Sequence, residues 1–516
     1  MCKRIIYFAA YLLTFPLSIW AEAMTYKADR LESDVIDNKP CKKLEGNVVF
    51  TFHTNGMVLT ADKAYKYDDQ ELIKAQGNVK IMDQEGNVVE SVFLTYDLLQ
   101  KRAVFEKNVR YLSRKATFYT PKLIYDVEKK QGKFLQGGKL VQDQMVLTSS
   151  MGLYDGAHHQ VTFCDKVVLV DPSYTFHSDQ LDYKTESEVA YFRGPTKIIY
   201  RDGVFKTPKG GYYSLPKKQL AFEQGVLTTE NIRLAADHLE IVNGEDCAAT
   251  GHVSLHSQKH DALITGGKAS YTRKEKKSVI TDSPLLTKVL NNETIYLRAD
   301  TFIFLEKNEP PEQEVHALNH VRLYQEVLQG VADGAVYNTS KNTIYLHNKP
   351  IIWCGQYQIT GEAVHLAIEE GEHVRMFVDK NLFMASENLV GHYNQVKGNK
   401  LVGLFKEGVI EKMSISGNSE SIYFALGDNN ELVGMNHLKC NGMEMNMVDN
   451  TLAQMTCQPK PIGVFYPAES LKEAQMKLPG FVWFGEKWPT KANILEGLLK
   501  DVTDQNYSGP KKLDKK

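Results

Sequence analysis

Ala61-Asp62-Lys63-Ala64-Tyr65-Lys66 is followed a dozen or so residues on by Gly77-Asn78-Val79-Lys80-Ile81, and versions of this couple recur along most of the chain. The hexamer has the form small, polar, any, apolar, any, aromatic. It returns at Ser91–Tyr96, Thr120–Tyr125, Ser149–Tyr154, Ser178–Tyr183, Pro208–Tyr213, Ala236–Ile241, Gly266–Tyr271, Ala299–Phe304, Ala332–Tyr337 and Gly361–Leu366. Successive copies start 28 to 33 residues apart, a spacing that chance does not hold over eleven copies. Looser copies follow at Lys397–Val402 and Cys440–Met445. After each hexamer comes a turn residue and a second alternating run, as at Asn108, Asp165, Gly194, Gly251, Asn319 and Asn348. Polar clusters such as Tyr67–Gln70 and Asn338–Asn342 separate the runs.

Alternation with period two, in short runs between regular turns, is the signature of β-strands. No stretch before residue 468 repeats with the helical period of 3.6. A strand repeat this short cannot close a core by itself, so it stacks on its neighbours as a solenoid or as two layered sheets. The expected fold is all-β: an elongated, repeat-built jellyroll, solenoid-like, with an irregular C-terminal tail. At strand spacings of ~4.8 Å each repeat would add roughly 7 Å, and the whole array on the order of 100 Å. Two open sheet ends would remain, to be protected or used for strand addition.

Expected boundaries are a leader at 1–23, jellyroll repeats over 24–200 and 201–390, degenerate repeats over 391–467, and a tail over 468–516. The leader has Lys3 and Arg4, an apolar stretch from Ile5 to Trp20, and a small-x-small site at Ala21-Glu22-Ala23. Interrupted by Pro16, that stretch is short for a membrane span of about 20 residues. The expectation is a cleaved signal peptide and export. Cys2 precedes the apolar stretch, so it is not the lipidated residue of a mature lipoprotein. In the tail, five prolines from Pro459 to Pro489 break the strands, Asn493–Lys500 could form one short helix, and Pro510–Lys516 is charged.

Composition sets limits. The 516 residues hold 61 Lys plus Arg against 63 Asp plus Glu, a net charge of -2, which supplies no field for nucleic acid. Apolar residues make up 43%, enough for a sizeable core. Beyond the leader stand Cys41, Cys164, Cys247, Cys354, Cys440 and Cys457, with no CxxC pair. Their pairing is undetermined by sequence, and buried unpaired thiols are the expected state for most.

The catalytic search is empty: there is no GxSxG elbow, HExxH helix or EF-hand loop. Gly266-Gly267-Lys268 lacks the first glycine of a phosphate loop, where Ala262 stands, and its Ser or Thr, where Ala269 stands. His316 and His320 have a useful metal spacing only on a helix, and read as solvated loop histidines, like His158-His159. Asp68-Asp69, Glu369-Glu370, Arg273–Lys277 and Lys511–Lys516 read as solvated turns and tail, with anionic lipid head groups as the sharper partner for the basic ones. No catalytic residue, metal ligand or cofactor is assigned. A β-helix polysaccharide lyase would need carboxylates and cations at matching positions of adjacent repeats, and none recurs.

Gly46-Asn47-Val48-Val49-Phe50, Leu59-Thr60-Ala61-Asp62-Lys63-Ala64-Tyr65 and Ala75-Gln76-Gly77-Asn78-Val79-Lys80-Ile81 together resemble the organic-solvent-tolerance family of lipopolysaccharide-transport proteins, the OstA/LptA-like proteins. Lys397–Phe405 and Met413–Phe424 are similar to its long multi-repeat members of the Bacteroidota. The resemblance covers roughly residues 25–460. It implies a periplasmic β-jellyroll, open along one side, whose greasy interior holds lipopolysaccharide acyl chains while the sugars stay in water. It also implies end-to-end stacking by edge strands, with other copies or between an inner-membrane export complex and an outer-membrane translocon. Unlike the translocon, this chain has no series of membrane strands; unlike the small bridge protein, it is several times longer.

Within each hexamer the fourth and sixth positions share one strand face. Leu94 and Tyr96, Leu123 and Tyr125, Leu181 and Tyr183, Phe302 and Phe304, Ala335 and Tyr337 are therefore expected on the inner face. There they either line a lipid groove or fill a dry core. The rival functions are an interaction scaffold or adhesin with a closed core and, further off, the lyase.

Overall fold

The computed structural model describes residues 24–496, except 201–202, 244, 259–260, 291–292, 308–311, 370–372, 407–408 and 450. The expected leader and the charged tail end lie outside the described residues. The described residues contain 38 β-strands, all antiparallel wherever their register is defined, and one short α-helix. The chain divides into two compact units, one ending at Gly194 and one starting at Pro195.

The first unit shows how the repeat builds the fold. Strands β1 (Met24–Lys27) and β2 (Arg30–Ile36) both pair with β3 (Lys39–Phe52), then β4 (Val58–Tyr67), β5 (Leu72–Met82), β6 (Val88–Asp97), β7 (Arg102–Leu112) and β8 (Thr117–Asp126) follow as a meander. The Gly-Asn couples do not separate strands, as the sequence suggested. They lie in mid-strand, as two residues of one strand opposite one of its neighbour: Gly46-Asn47 and Gly77-Asn78 both face Asp62 in the ladder. Both residues of each couple have positive φ, 76° and 44° in the first and 74° and 43° in the second. Such bulges bend a strand without ending it.

The hexamer's Asp holds the corner. Asn78 Nδ2 donates to Asp62 at 2.9 Å, and Asn47 Nδ2 donates to Asp29 at 2.9 Å. A Cβ on Gly77 would stand 2.4 Å from Asp62 Oδ2, so the site excludes a side chain as well as favouring left-handed backbone. The same arrangement returns at His252 with Asp237, His320 with Asp300 at 2.8 Å, and Asn381 with Glu362 at 2.6 Å. His316 and His320 are thus strand residues of one long strand, Glu312–Tyr324, and not loop histidines as expected; His320 occupies the bulge.

Bent at its corner, each long strand contributes one half to each of two facing layers, and shorter strands of four or five residues extend one layer or the other. Phe52, in the second half of β3, meets Tyr96, in the second half of β6, at 5.6 Å between ring centroids. Those residues are three strands apart and on opposite sides of the corner, so the contact crosses the interior. Phe118 and Phe134 at 4.9 Å, and Phe176 stacked on Phe192 at 4.8 Å, cross it again. Apolar residues fill the space: Leu44, Val48, Phe50, Leu59, Ile73, Leu94, Tyr96 and Phe105 are all buried.

The second unit continues the pattern to β36 (Leu432–Val448), β37 (Thr451–Gln458) and β38 (Ile462–Pro467), the last two pairing side by side with β36. Its tail is not loose. Residues 476–488 run across a row of outward-facing side chains on strands β28 (Leu328–Asn338), β30 (Ile351–Cys354), β31 (Tyr357–Thr360), β33 (His373–Leu389) and β34 (His392–Lys406). In the ladder that row reads Gln329, Trp353, Gln358, Ala385, Gln395, each residue the cross-strand partner of the next. Gln395 donates to the Met476 carbonyl at 2.7 Å and accepts from Leu478 N–H at 2.8 Å. Gln358 donates to the Val482 carbonyl at 2.8 Å and accepts from Phe484 N–H at 2.7 Å. Gln329 accepts from Trp488 Nε1 at 2.9 Å, and Trp488 stacks on Trp353. Farther on, Thr490 caps the helix α1 (Lys491–Leu495), slightly before the expected position, and the Arg298 guanidinium donates to the carbonyls of Ile494 and Glu496. Residues 497–500 of the expected helix lie outside the described residues. This strap explains why all four residues of Ile351–Cys354 are buried: one face meets the interior and the other meets the tail.

Two outcomes follow. Gly77→Ala should destabilise the first unit by ~1–2 kcal/mol through left-handed strain and contact with Asp62, read by denaturant melting. Gln358→Leu should leave the Val482 carbonyl and Phe484 N–H without their partner, costing about 1–3 kcal/mol, with Trp488 emission shifting toward that of a solvated indole.

Candidate functional site

The bend at every corner lines up equivalent positions of successive strands as continuous rows on the inner face. With β9 (Gln131–Phe134), β12 (Met151–Asp155), β13 (Gln160–Val170), β14 (Tyr174–Lys184) and β15 (Val189–Arg193), the first unit carries one such row at the sixth hexamer position. It reads Ile73, Tyr96, Ala103, Tyr125, Gly132, Tyr154, Val161, Tyr183, Ala190, each residue the cross-strand partner of the next. Tyrosines of the hexamer alternate with small or β-branched residues of the intervening strands. That alternation gives each ring room to lie over its neighbour, as interdigitated packing requires. The fourth position makes a parallel row, Ala64, Ala75, Leu94, Phe105, Leu123.

The second unit carries the longer rows. From β19 (Gln219–Thr228) onward one reads Phe222, Leu239, Ala249, Ala269, Ile280, Phe302, Ala317, Ala335, Leu346 and Val364, apolar throughout. Beside it run Ile241, Cys247, Tyr271, Ser278, Phe304, Val315, Tyr337, Ile344 and Leu366. The first row is buried apart from half-buried Ala269, whereas in the second every residue from Ile241 to Ile344 is only partly buried.

The ten inner-face residues named from sequence therefore fall into three groups rather than one site. Leu94, Tyr96 and Leu123 are buried in the core cluster of the first unit, with Tyr125 packed against it. Leu181 and Tyr183 are fully buried, and the Tyr183 hydroxyl donates to Gln142 at 2.7 Å. Phe302 and Ala335 belong to the core of the second unit, with Phe304 half-buried beside it and Tyr337 half-buried, its hydroxyl donating to Asn342 at 2.9 Å. Burial raises the hydroxyls of Tyr125, Tyr183 and Tyr337, Tyr125 to about 12, so these three stay neutral at any physiological pH. Sequence reasoning missed the intervening members, such as Phe105, Ile280 and Val315. Their strands carry no hexamer, and the register that places them is a tertiary fact.

Most charge sits on the outer face, but the inner row of the first unit runs on past Ile73 to Lys66 and Lys42, whose ammonium groups pair with Asp68 at the strand end. Lys43 and Lys63 both bridge to Glu45 at 3.0 Å, and Arg110 to Glu90 at 2.7 Å. The tightest cluster surrounds Glu420 on β35 (Val409–Leu426), which meets Lys397 at 2.7 Å, His437 at 2.8 Å and Lys439 at 3.1 Å. Burial works to raise the Glu420 carboxyl, but hydrogen bonds from those three partners outweigh it and hold it at about 2. Among the described residues no group of three His, Cys, Asp or Glu side chains is placed to hold a metal ion. No described helix is long and apolar enough to cross a membrane.

The chemistry available is that of a surface: a buried row that is apolar throughout and, beside it, a partly open row that is apolar but for Ser278. Residues 22–179 match the family described as OstA-like protein. A search of curated proteins finds no significant match. Among solved structures, LptH of Pseudomonas aeruginosa, described as the LptA-homologous periplasmic component of the lipopolysaccharide transport device, is 19% identical over 21% of this chain and 79% of its own, with a TM-score of 0.19. The WD40 domain of SCAP from fission yeast is 8% identical over 74% of this chain and 95% of its own, with a TM-score of 0.11. Likenesses at these scores carry no functional weight.

Because the Glu420 carboxyl is held below its ordinary value, its contribution is fully present above about 4.5 and is lost as pH falls toward about 2. Glu420→Gln should accordingly cost on the order of 2 kcal/mol at neutral pH, and the gap from the parent protein should close on acidification, as followed by denaturant melts at several pH values. Over residues 22–179, the region that contains the first tyrosines of the inner row, this chain is similar to the OstA-like proteins.

Proposed function

We propose that this chain is an exported, non-enzymatic carrier that moves lipopolysaccharide between the two membranes of its cell, with the acyl chains held against its inner rows. The observation that carries the reading is the half-buried row from Ile241 to Ile344 beside a buried apolar row. Acyl chains need a continuous apolar track, each buried methylene being worth about 0.8 kcal/mol, and a series of near-equivalent positions lets a chain slide without one tight stop. The OstA-like match over residues 22–179 points to the same class of lipid.

End docking belongs to the same proposal. At the N-terminal edge β1 and β2 pair only with β3 among the described residues, and Leu31 and Val35 are exposed. At the C-terminal edge β37 and β38 pair only with β36, with Ile462, Val464 and Phe465 exposed. Edges carrying exposed apolar side chains suit the addition of another chain's strand, whether from the membrane complexes or from a second copy.

A second reading, a scaffold with a closed core, draws on the aromatic pairs that cross the interior of the first unit, such as Phe52 with Tyr96. Photo-crosslinking separates the two. A photoreactive residue at Phe304, inner and half-buried, should give a lipopolysaccharide adduct in cells that make this lipid, and one at Ile303, on the opposite strand face, should not. Adducts at neither position in the folded protein would sink the carrier reading in favour of the scaffold.

A further inference from the structure

The six cysteines of the described residues are all free thiols, and four of them stand apart. Cys41 lies on β3, Cys164 on β13, Cys247 on β21 (Asp246–Ser257) and Cys354 on β30, strands that are not ladder neighbours among the described residues. Cys440 and Cys457 differ. They lie on the adjacent strands β36 and β37, and both pack against the interior core of the second unit.

Their placement follows from the last corner of the array. Gly417-Asn418 of β35 bulge opposite Asn441, so Cys440 occupies the inward first hexamer position and Met443 the inward fourth. Cys457 is the cross-strand partner of Met443. The Cys440 thiol turns along its own strand toward that partner, donating to the Gly442 carbonyl at 3.1 Å, and Gly442 in turn faces Gln458, the residue after Cys457. The two inward cysteines thus stand on neighbouring strands, three residues apart in register, close to where β37 ends and residues 459–461 carry the chain to β38. Burial first, and the Cys440 thiol second, push the Cys457 thiol up to about 11.

We propose that Cys440 and Cys457 form a reversible disulfide that staples the terminal edge strand β37 to β36. In thiol–disulfide exchange, one thiolate attacks a low-molecular-weight disulfide and expels its first thiol, leaving a mixed disulfide. The second cysteine's thiolate then displaces the second small thiol. Two protein thiols are oxidised, one external disulfide is reduced to two thiols, and the two protons pass to the leaving thiolates. The staple closes a short loop, Cys440 to Cys457, and so restrains β37, the edge strand that precedes β38 with its exposed Ile462, Val464 and Phe465. Its bearing on docking of another chain rests on the carrier reading; its formation does not.

The test uses the reduced, purified full chain and glutathione disulfide. Peptide mapping without reductant should recover a Cys440–Cys457 link, with the intact mass lower by two hydrogens. Cys440→Ser and Cys457→Ser should each abolish the link and leave a glutathione adduct on the remaining partner. Cleavage within residues 458–461 by a limiting protease should be several-fold slower in the oxidised protein. Glutathione adducts on both thiols without a link, or a link to any other cysteine, would overturn the proposal. Failure of the lipid crosslink at Phe304 alongside a formed staple would remove the carrier reading and leave the disulfide standing.

Discussion

The hydrogen bond between a hexamer acid and the bulge residue of the next strand is the contact on which the rest of the structure depends. Asp62 with Asn78, and Asp300 with His320, hold two consecutive left-handed residues that an unaided strand would not adopt. Each such pair bends a strand of ten or more residues in the middle. Without the bend the chain would be a flat meander with one greasy face in water. With it, the two halves of every long strand turn that face toward each other, and Phe52 can reach Tyr96 across the interior.

From the corner follow both the core and the candidate site. A bend placed at the same point of each repeat keeps the register of the next strand, since a slip of one residue would put the apolar set on the outer face. Register in turn sets the tyrosines of the hexamer over alanine, glycine or valine of the intervening strands. The second unit uses smaller residues along part of the same track, Ala249, Ala269, Ala317 and Ala335, beside a row of half-buried side chains. In both units half-buried members, Tyr125 and Tyr154 in the first and Ile241 to Ile344 in the second, fall in the sixth-position row.

The tail shows the opposite economy. Its residues make no strand ladder across the row they cover; three glutamines supply side-chain amides, two of them offering both donor and acceptor to the strap's backbone. A buried amide without such a partner is costly, so the strap and the glutamines require each other. Spaced 29 and 37 residues apart, Gln329, Gln358 and Gln395 meet only because the array brings their strands side by side.

How much could be read without coordinates follows from these particulars. Spacing and alternation alone establish the all-β class, the repeat, and the inward direction of positions such as Leu94 and Phe302, because a strand's two faces are a local property of the backbone. The Gly-Asn couples were legible as breaks but not as bulges, since their partner acids, Asp29 and Asp62, lie 16 to 18 residues away in sequence. The strap, the Cys440–Cys457 neighbourhood, the members of the inner rows that carry no hexamer, and the openness of the second row were decided by tertiary structure. Each depends on which strands become neighbours and on the volume left between them, and no local stretch of sequence encodes either quantity.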